Sequence, residues 1–117
     1  MAEAALCTVF GPPVPGREKQ ALKVYADTVE YWGRLQKEGK IERFDITVLT
    51  PTGDLNGFIL ARGSAANLDG IRRSKEYRQL INRVQLAVSH LRVCDAFVDE
   101  GLAEVMSQYQ EVVEQAD

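Results

Sequence analysis

Ile41-Glu42-Arg43-Phe44-Asp45-Ile46-Thr47-Val48-Leu49-Thr50, then Pro51-Thr52-Gly53-Asp54, then Leu55-Asn56-Gly57-Phe58-Ile59-Leu60-Ala61-Arg62-Gly63 is the stretch on which the fold turns. The first run alternates apolar and polar side chains with the period of a half-buried strand. Phe44, Ile46 and Val48 share one face, and Arg43, Asp45 and Thr47 share the other. Pro51 to Asp54 supplies turn residues, so the second run is expected to return beside the first as a hairpin. On that returning strand Phe58 and Leu60 point one way, while Leu55, Ile59 and Ala61 point the other. Neither side of it is built for water.

Working outward, Ala5-Leu6-Cys7-Thr8-Val9-Phe10 reads as a first strand that ends at Gly11. The loop Gly11-Pro12-Pro13-Val14-Pro15-Gly16 follows, because its prolines cannot donate to a ladder. From Arg17 to about Lys37 the period becomes helical. Leu22, Tyr25, Ala26, Val29 and Trp32 form the expected core stripe, and Val24, Tyr31 and Leu35 form a second apolar side suited to a neighbour. Gly39, flanked by Lys37 and Lys40, stops the helix. Beyond the hairpin, Ser64 is placed to cap a short helix and Ser74 a second, whose stripe is Tyr77, Leu80, Ile81, Val84 and Val88. His90 through Val98 reads as a fourth strand, and Asp99-Glu100-Gly101 opens an amphipathic helix with Leu102, Val105, Met106, Tyr109 and Val112.

Without that last helix the order is βαββαβ, an α+β, ferredoxin-like arrangement with both helices on one side of an antiparallel sheet. The expectation is one domain over 1–117, with 99–117 as a C-terminal helical extension. The opposite sheet face would then be open and oily. A second copy covers it by symmetry, giving a homodimer; the last helix folding back is the alternative cover.

Composition narrows the function classes. The chain has 117 residues, 45% hydrophobic and 26% charged, which is a folded composition rather than a disordered one. Residues 1–98 hold 14 basic and 11 acidic groups, whereas residues 99–117 hold six acids and no base. The one basic cluster, Arg72, Arg73, Lys75, Arg78 and Arg83, is too thin to predict a nucleic-acid partner. No apolar run approaches the roughly 20 residues a bilayer requires, and no signal-peptide pattern opens the chain, so no membrane partner and a cytoplasmic location are expected. Cys7 and Cys94 match neither a metal knuckle nor a disulfide framework. They are expected as free thiols on neighbouring strands, and neither a metal nor a cofactor is called for.

The strand-loop-helix order, the Gly39-Lys40-Ile41-Glu42 junction, the strand Gly57-Phe58-Ile59-Leu60-Ala61-Arg62-Gly63 and the helix start Ser74-Lys75-Glu76-Tyr77-Arg78 together resemble the dimeric α/β-barrel superfamily over most of residues 4–98. That superfamily pairs ferredoxin-like subunits into a barrel-shaped homodimer. It includes cofactor-independent monooxygenases, haem-degrading enzymes, small-molecule isomerases and decarboxylases. The resemblance implies a dimeric α/β barrel with a pocket more strongly than it implies a reaction, and it carries no catalytic residue over to this chain.

Within that frame the candidate residues come from strand phase. Asp45 is the candidate catalytic group, able to accept or position a proton, with Arg43 orienting an anionic ligand and Thr47 adding a hydroxyl. Arg62 and Arg92, near strand ends, could each bind a carboxylate if turned inward. His90, the single histidine, is a candidate for ligand contact or for haem iron, against a bland role at the helix end. Tyr25, Tyr31 and Trp32 could wall a planar ligand, although helical spacing also explains them as core. The expected function is binding of an anionic or aromatic small molecule. A cofactor-independent enzyme acting on an aromatic or polyketide-like compound is its enzymatic form. A non-catalytic homodimeric binding or assembly module and a haem-binding or haem-degrading enzyme are the alternatives.

Overall fold

The computed structural model describes residues 2–116, so Asp117 of the acidic tail lies outside the described residues. The hairpin forms as its alternation requires. β2 (Arg43–Val48) and β3 (Gly57–Gly63) pair antiparallel with Ile46 opposite Ile59 and Phe44 opposite Ala61. β1 (Ala4–Phe10) pairs with the other edge of β3, and β4 (Arg92–Phe97) pairs with β1, both antiparallel. The order across the sheet is therefore β2-β3-β1-β4. α1 (Glu18–Lys37) joins β1 to β2, while α2 (Ala65–Arg73) and α3 (Lys75–Ala87) join β3 to β4. α4 (Asp99–Ala116) ends the described chain. The arrangement is ferredoxin-like with additional helices.

The barrel implied by the resemblance does not occur. The sheet is open: β2 and β4 hold its opposite edges and do not pair with each other. Closure needs enough tilted, staggered strands for the two edges to meet, and four strands in this order keep them apart.

The core lies between the sheet's inner face and the helices. Leu6, Ile59 and Ala61 pack against Val24, Trp32, Leu35, Leu80 and Val84 in one buried cluster. This corrects the predicted face of α1. Its buried residues are Ala21, Val24, Thr28, Tyr31, Trp32 and Leu35, while Leu22 is 73% exposed. The stripe reserved for a neighbour is the core stripe, because Ala21 and Thr28 extend it with side chains small enough to let α1 approach the sheet. The Thr28 hydroxyl satisfies itself by donating to the Val24 carbonyl at 2.6 Å.

Both predicted serine caps are present. The Ser64 hydroxyl accepts from the Asn67 amide at 3.1 Å. Ser74 ends α2 and starts α3: its hydroxyl accepts from the Tyr77 amide at 3.2 Å and donates to the Ile71 carbonyl at 2.7 Å. That single residue sets the turn between the two helices and so fixes where Tyr77 enters the core.

The outer sheet face carries Phe58 and Leu60 of β3, Ala5, Cys7 and Val9 of β1, and Cys94 and Ala96 of β4, by strand register. α4 does not fold back over it. Ala2, Ala5 and Val98 form a small cluster at its root, and within α4 only Gly101 is buried. No helix among the described residues is long and apolar enough to cross a membrane.

Candidate functional site

Between α1, α3 and the inner sheet face, packing leaves a cavity of about 450 Å³. Thr8, Phe10 and Ile59 form its floor; Ala21, Thr28 and Trp32 of α1 and Tyr77, Leu80 and Val84 of α3 form its walls. Leu22, Tyr25 and Val48 line it while remaining 73%, 41% and 66% exposed, which places the mouth between the first half of α1 and the end of β2. The void follows from the sizes of the side chains that meet there. Ala21, Thr8 and Thr28 are short side chains at positions facing the space, while Trp32 and Tyr77 hold the helices apart at its aromatic end. Apolar space of this size is costly to leave empty, and ligand pockets are commonly built this way.

The lining is mostly apolar, with Thr8, Glu18, Thr28, Asn56 and the tyrosines Tyr25 and Tyr77 as its polar members. Tyr77 is 4% exposed, and its hydroxyl is buried without a hydrogen-bond partner. Burial pushes its phenol up to about 12, with the Arg72 charge and the neighbouring Thr8 hydroxyl opposing the rise in part. Thr8 is near enough to lower the phenol as a weak hydrogen-bonding neighbour, but the two hydroxyls do not meet in a bond of acceptable geometry. Tyr31, Trp32 and Tyr77 form an aromatic cluster, with ring centroids 5.3 Å apart for Tyr31–Trp32 and 6.1 Å for Trp32–Tyr77. Burial likewise raises the Tyr31 phenol. Beside the Thr8 hydroxyl, which belongs to the same lining, Tyr77 is therefore an uncharged donor at neutral pH at the cavity's aromatic end. That group can orient or polarise a carbonyl or hydroxyl oxygen, and it cannot serve as a base there.

The residues singled out by strand phase lie elsewhere. Arg43, Asp45 and Thr47 share the outer face of β2 and are exposed. The Asp45 carboxylate stands 3.8 Å from Arg43 Nε and 3.9 Å from Arg62 Nε. Arg62 also reaches Asp99 at 3.6 Å, and its Nε is buried without a hydrogen bond. These groups are brought together at one corner of the outer face. Arg92 is on β4, at the opposite sheet edge from β2. His90 is exposed in the α3–β4 connection with a left-handed φ of 56°. None of Arg43, Asp45, Thr47, Arg62, His90 and Arg92 lines the cavity. No histidine lines it either, so the residues present do not fit a haem ligated by His90 inside it.

Cys7 and Cys94 are direct cross-strand partners, and the Cys94 thiol donates to the Cys7 carbonyl at 3.8 Å. Both are free, and burial raises the Cys7 thiol with a further push from Cys94. Among the described residues no group of three or more histidine, cysteine, aspartate or glutamate side chains is placed to hold a metal ion.

Sequence phase put Tyr77 on the buried stripe of α3 but not at the wall of a cavity. The available signal was chemical: a tyrosine at a core position must find a partner for its hydroxyl or leave it unpaired.

No family model and no curated protein matches the chain. Solved structures share its fold at low identity. A dimeric protein of unknown function and ferredoxin-like fold from Bacteroides fragilis matches with a TM-score of 0.59 at 10% identity, over 81% of this chain and 96% of that one. Hydroxynitrile lyase from Passiflora edulis matches with a TM-score of 0.64 at 16% identity, over 86% and 97%. SnoaB, a cofactor-independent oxygenase from Streptomyces nogalater, matches with a TM-score of 0.55 at 12% identity, over 86% and 96%. At these identities the likeness is one of fold.

Proposed function

We propose that this chain binds a small, largely apolar molecule in the cavity between α1, α3 and the sheet, and that the Tyr77 hydroxyl donates to one oxygen of that molecule. The observation that carries the reading is the unpartnered hydroxyl of Tyr77, a residue that lines a mostly apolar cavity. A buried donor without an acceptor is costly, and a ligand oxygen would remove that cost. The volume of about 450 Å³ suits a two- or three-ring aromatic compound. In the enzymatic form, Tyr77 polarises a carbonyl or holds a developing oxyanion without any cofactor. That form draws support from the oxygenase and the lyase that share the fold.

A second reading places anion contact on the outer face, where Arg43 and Arg62 flank Asp45, with Asp45 assisting proton movement. It draws on that clustering alone. For assembly the reading is a homodimer formed over the uncovered outer face, in keeping with the dimeric ferredoxin-like protein above.

The test of the pocket uses the naphthalene ketone dye prodan, an apolar body with a single carbonyl acceptor. Saturable binding with blue-shifted emission is expected for the wild type. Ala21→Phe, which fills the cavity from α1, should abolish it. Absence of saturable binding, or equal binding by the filled variant, overturns the reading and favours a non-catalytic assembly module.

A further inference from the structure

α4 is an 18-residue helix with a continuous apolar stripe that nothing in its own subunit covers. Leu102, Met106, Tyr109 and Val113 recur at four- and three-residue steps and are 48%, 55%, 64% and 46% exposed. A helix of this length is marginal in water, and its stability normally comes from packing such a face. Its root is fixed. Gly101 sits so close to the Glu3 carbonyl that a Cβ there would collide, and Asp99 reaches Arg62 at 3.6 Å. Within the subunit this anchoring buries Ala5 and packs Leu60 and Ala96 against the root of the arm, and it leaves the stripe and the rest of the outer sheet face without a partner.

The two unpartnered surfaces are complementary. Phe58 and Leu60 supply apolar area to the outer face, and Arg43, Arg62 and Arg92 rim it with Asp45 as the single acid among the outward-facing strand residues. Residues 99–117 carry six acids and no base. We infer that α4 is a docking arm whose apolar stripe seats on the outer sheet face of a second copy, with the arm's acidity drawn to the arginine rim. The exchange is reciprocal, so each subunit's arm covers the other's sheet. This rests on the homodimer reading and adds the segment that makes the contact.

The full-length chain, its Met106→Glu/Tyr109→Glu double variant and its Phe58→Glu variant are compared by sedimentation equilibrium. All three substituted side chains lie outside the main core, so retained Trp32 emission and prodan binding serve as the check on folding. The expected result is a wild-type particle of twice 13.0 kDa. Dissociation constants should rise roughly 30-fold or more in both variants, the cost of placing charge in an interface centre. A wild type that stays single at high concentration overturns both the dimer reading and the arm. A dimer that the double variant leaves intact overturns the arm alone. Weakening by the double variant without weakening by Phe58→Glu overturns the sheet face as the arm's seat.

Discussion

The rings of Tyr77 and Trp32 meet across the aromatic end of the cavity, with centroids 6.1 Å apart and planes inclined at 60°. One comes from α3 and the other from α1, so this contact ties together the two helices that roof the cavity. Beside it the Tyr77 hydroxyl has no partner, which sets stability and binding against each other. Tyr77→Phe removes an unsatisfied buried donor and keeps the ring, so unfolding free energy should rise by about 1 kcal/mol. Prodan affinity should fall by roughly three- to tenfold, the loss of one hydrogen bond to a carbonyl. Urea titration and fluorescence titration read the two effects, and parallel losses in both would contradict the assignment.

Alkaline titration gives a second test. The Tyr77 phenol is held at about 12, above its ordinary value of 10.0. Below the ordinary value it is protonated in folded and unfolded chains alike, and stability does not depend on it. Between 10.0 and about 12 the unfolded chain releases this proton while the folded chain keeps it, so stability falls as pH rises and levels off above the folded value. The total loss is roughly 2–3 kcal/mol. Tyr77→Phe should flatten much of that decline, and the latest-titrating tyrosinate absorbance should vanish with it. A wild-type chain whose tyrosines all ionise at ordinary values would refute the buried phenol.

Ser74→Ala probes how the site is held. Its hydroxyl serves the Tyr77 amide and the Ile71 carbonyl at the α2–α3 junction. Loss of this cap should cost about 1–2 kcal/mol and weaken prodan binding by releasing the start of α3. Ser74→Thr, which keeps a capping hydroxyl, should restore most of both. A destabilised Ser74→Ala protein with unchanged dye affinity would separate the cap from the site.

Asp45→Ala separates the two candidate sites. Asp45 is 57% exposed, and its ion pairs with Arg43 and Arg62 span 3.8 and 3.9 Å. Exposed pairs of this kind contribute about 0–1 kcal/mol, so stability should change little. Prodan affinity should stay within about twofold, because Asp45 faces away from the cavity. A large loss would move the site to the outer face.

The parts legible in sequence were those governed by local periodicity and local chemistry. The alternation of Phe44, Ile46 and Val48 located β2, and Ser64 and Ser74 announced the helices they cap. α1 was harder because apolar residues occur around much of its circumference. Which face packs inward depends on Ala21 and Thr28 being small enough to touch the sheet, which hydrophobicity alone does not rank. Sheet closure was misjudged for a related reason. It depends on whether β2 and β4 meet, a relation between residues far apart in sequence that no local pattern encodes. The cavity is equally non-local. Thr8, Trp32 and Tyr77 come from three elements, and only their assembly exposes the space between them. That Cys7 and Cys94 lie on neighbouring strands was accessible from the topology, whereas their direct pairing depends on register and was not.

The most direct test of the account is to record intermolecular nuclear Overhauser effects between bound prodan and the aromatic side chains. The expected result is contact from the naphthalene protons to the Trp32 indole and the Tyr77 ring, with the ketone end nearest Tyr77. Contacts confined to Phe58 and Leu60 on the outer face, or no bound dye at saturating concentration, would contradict it.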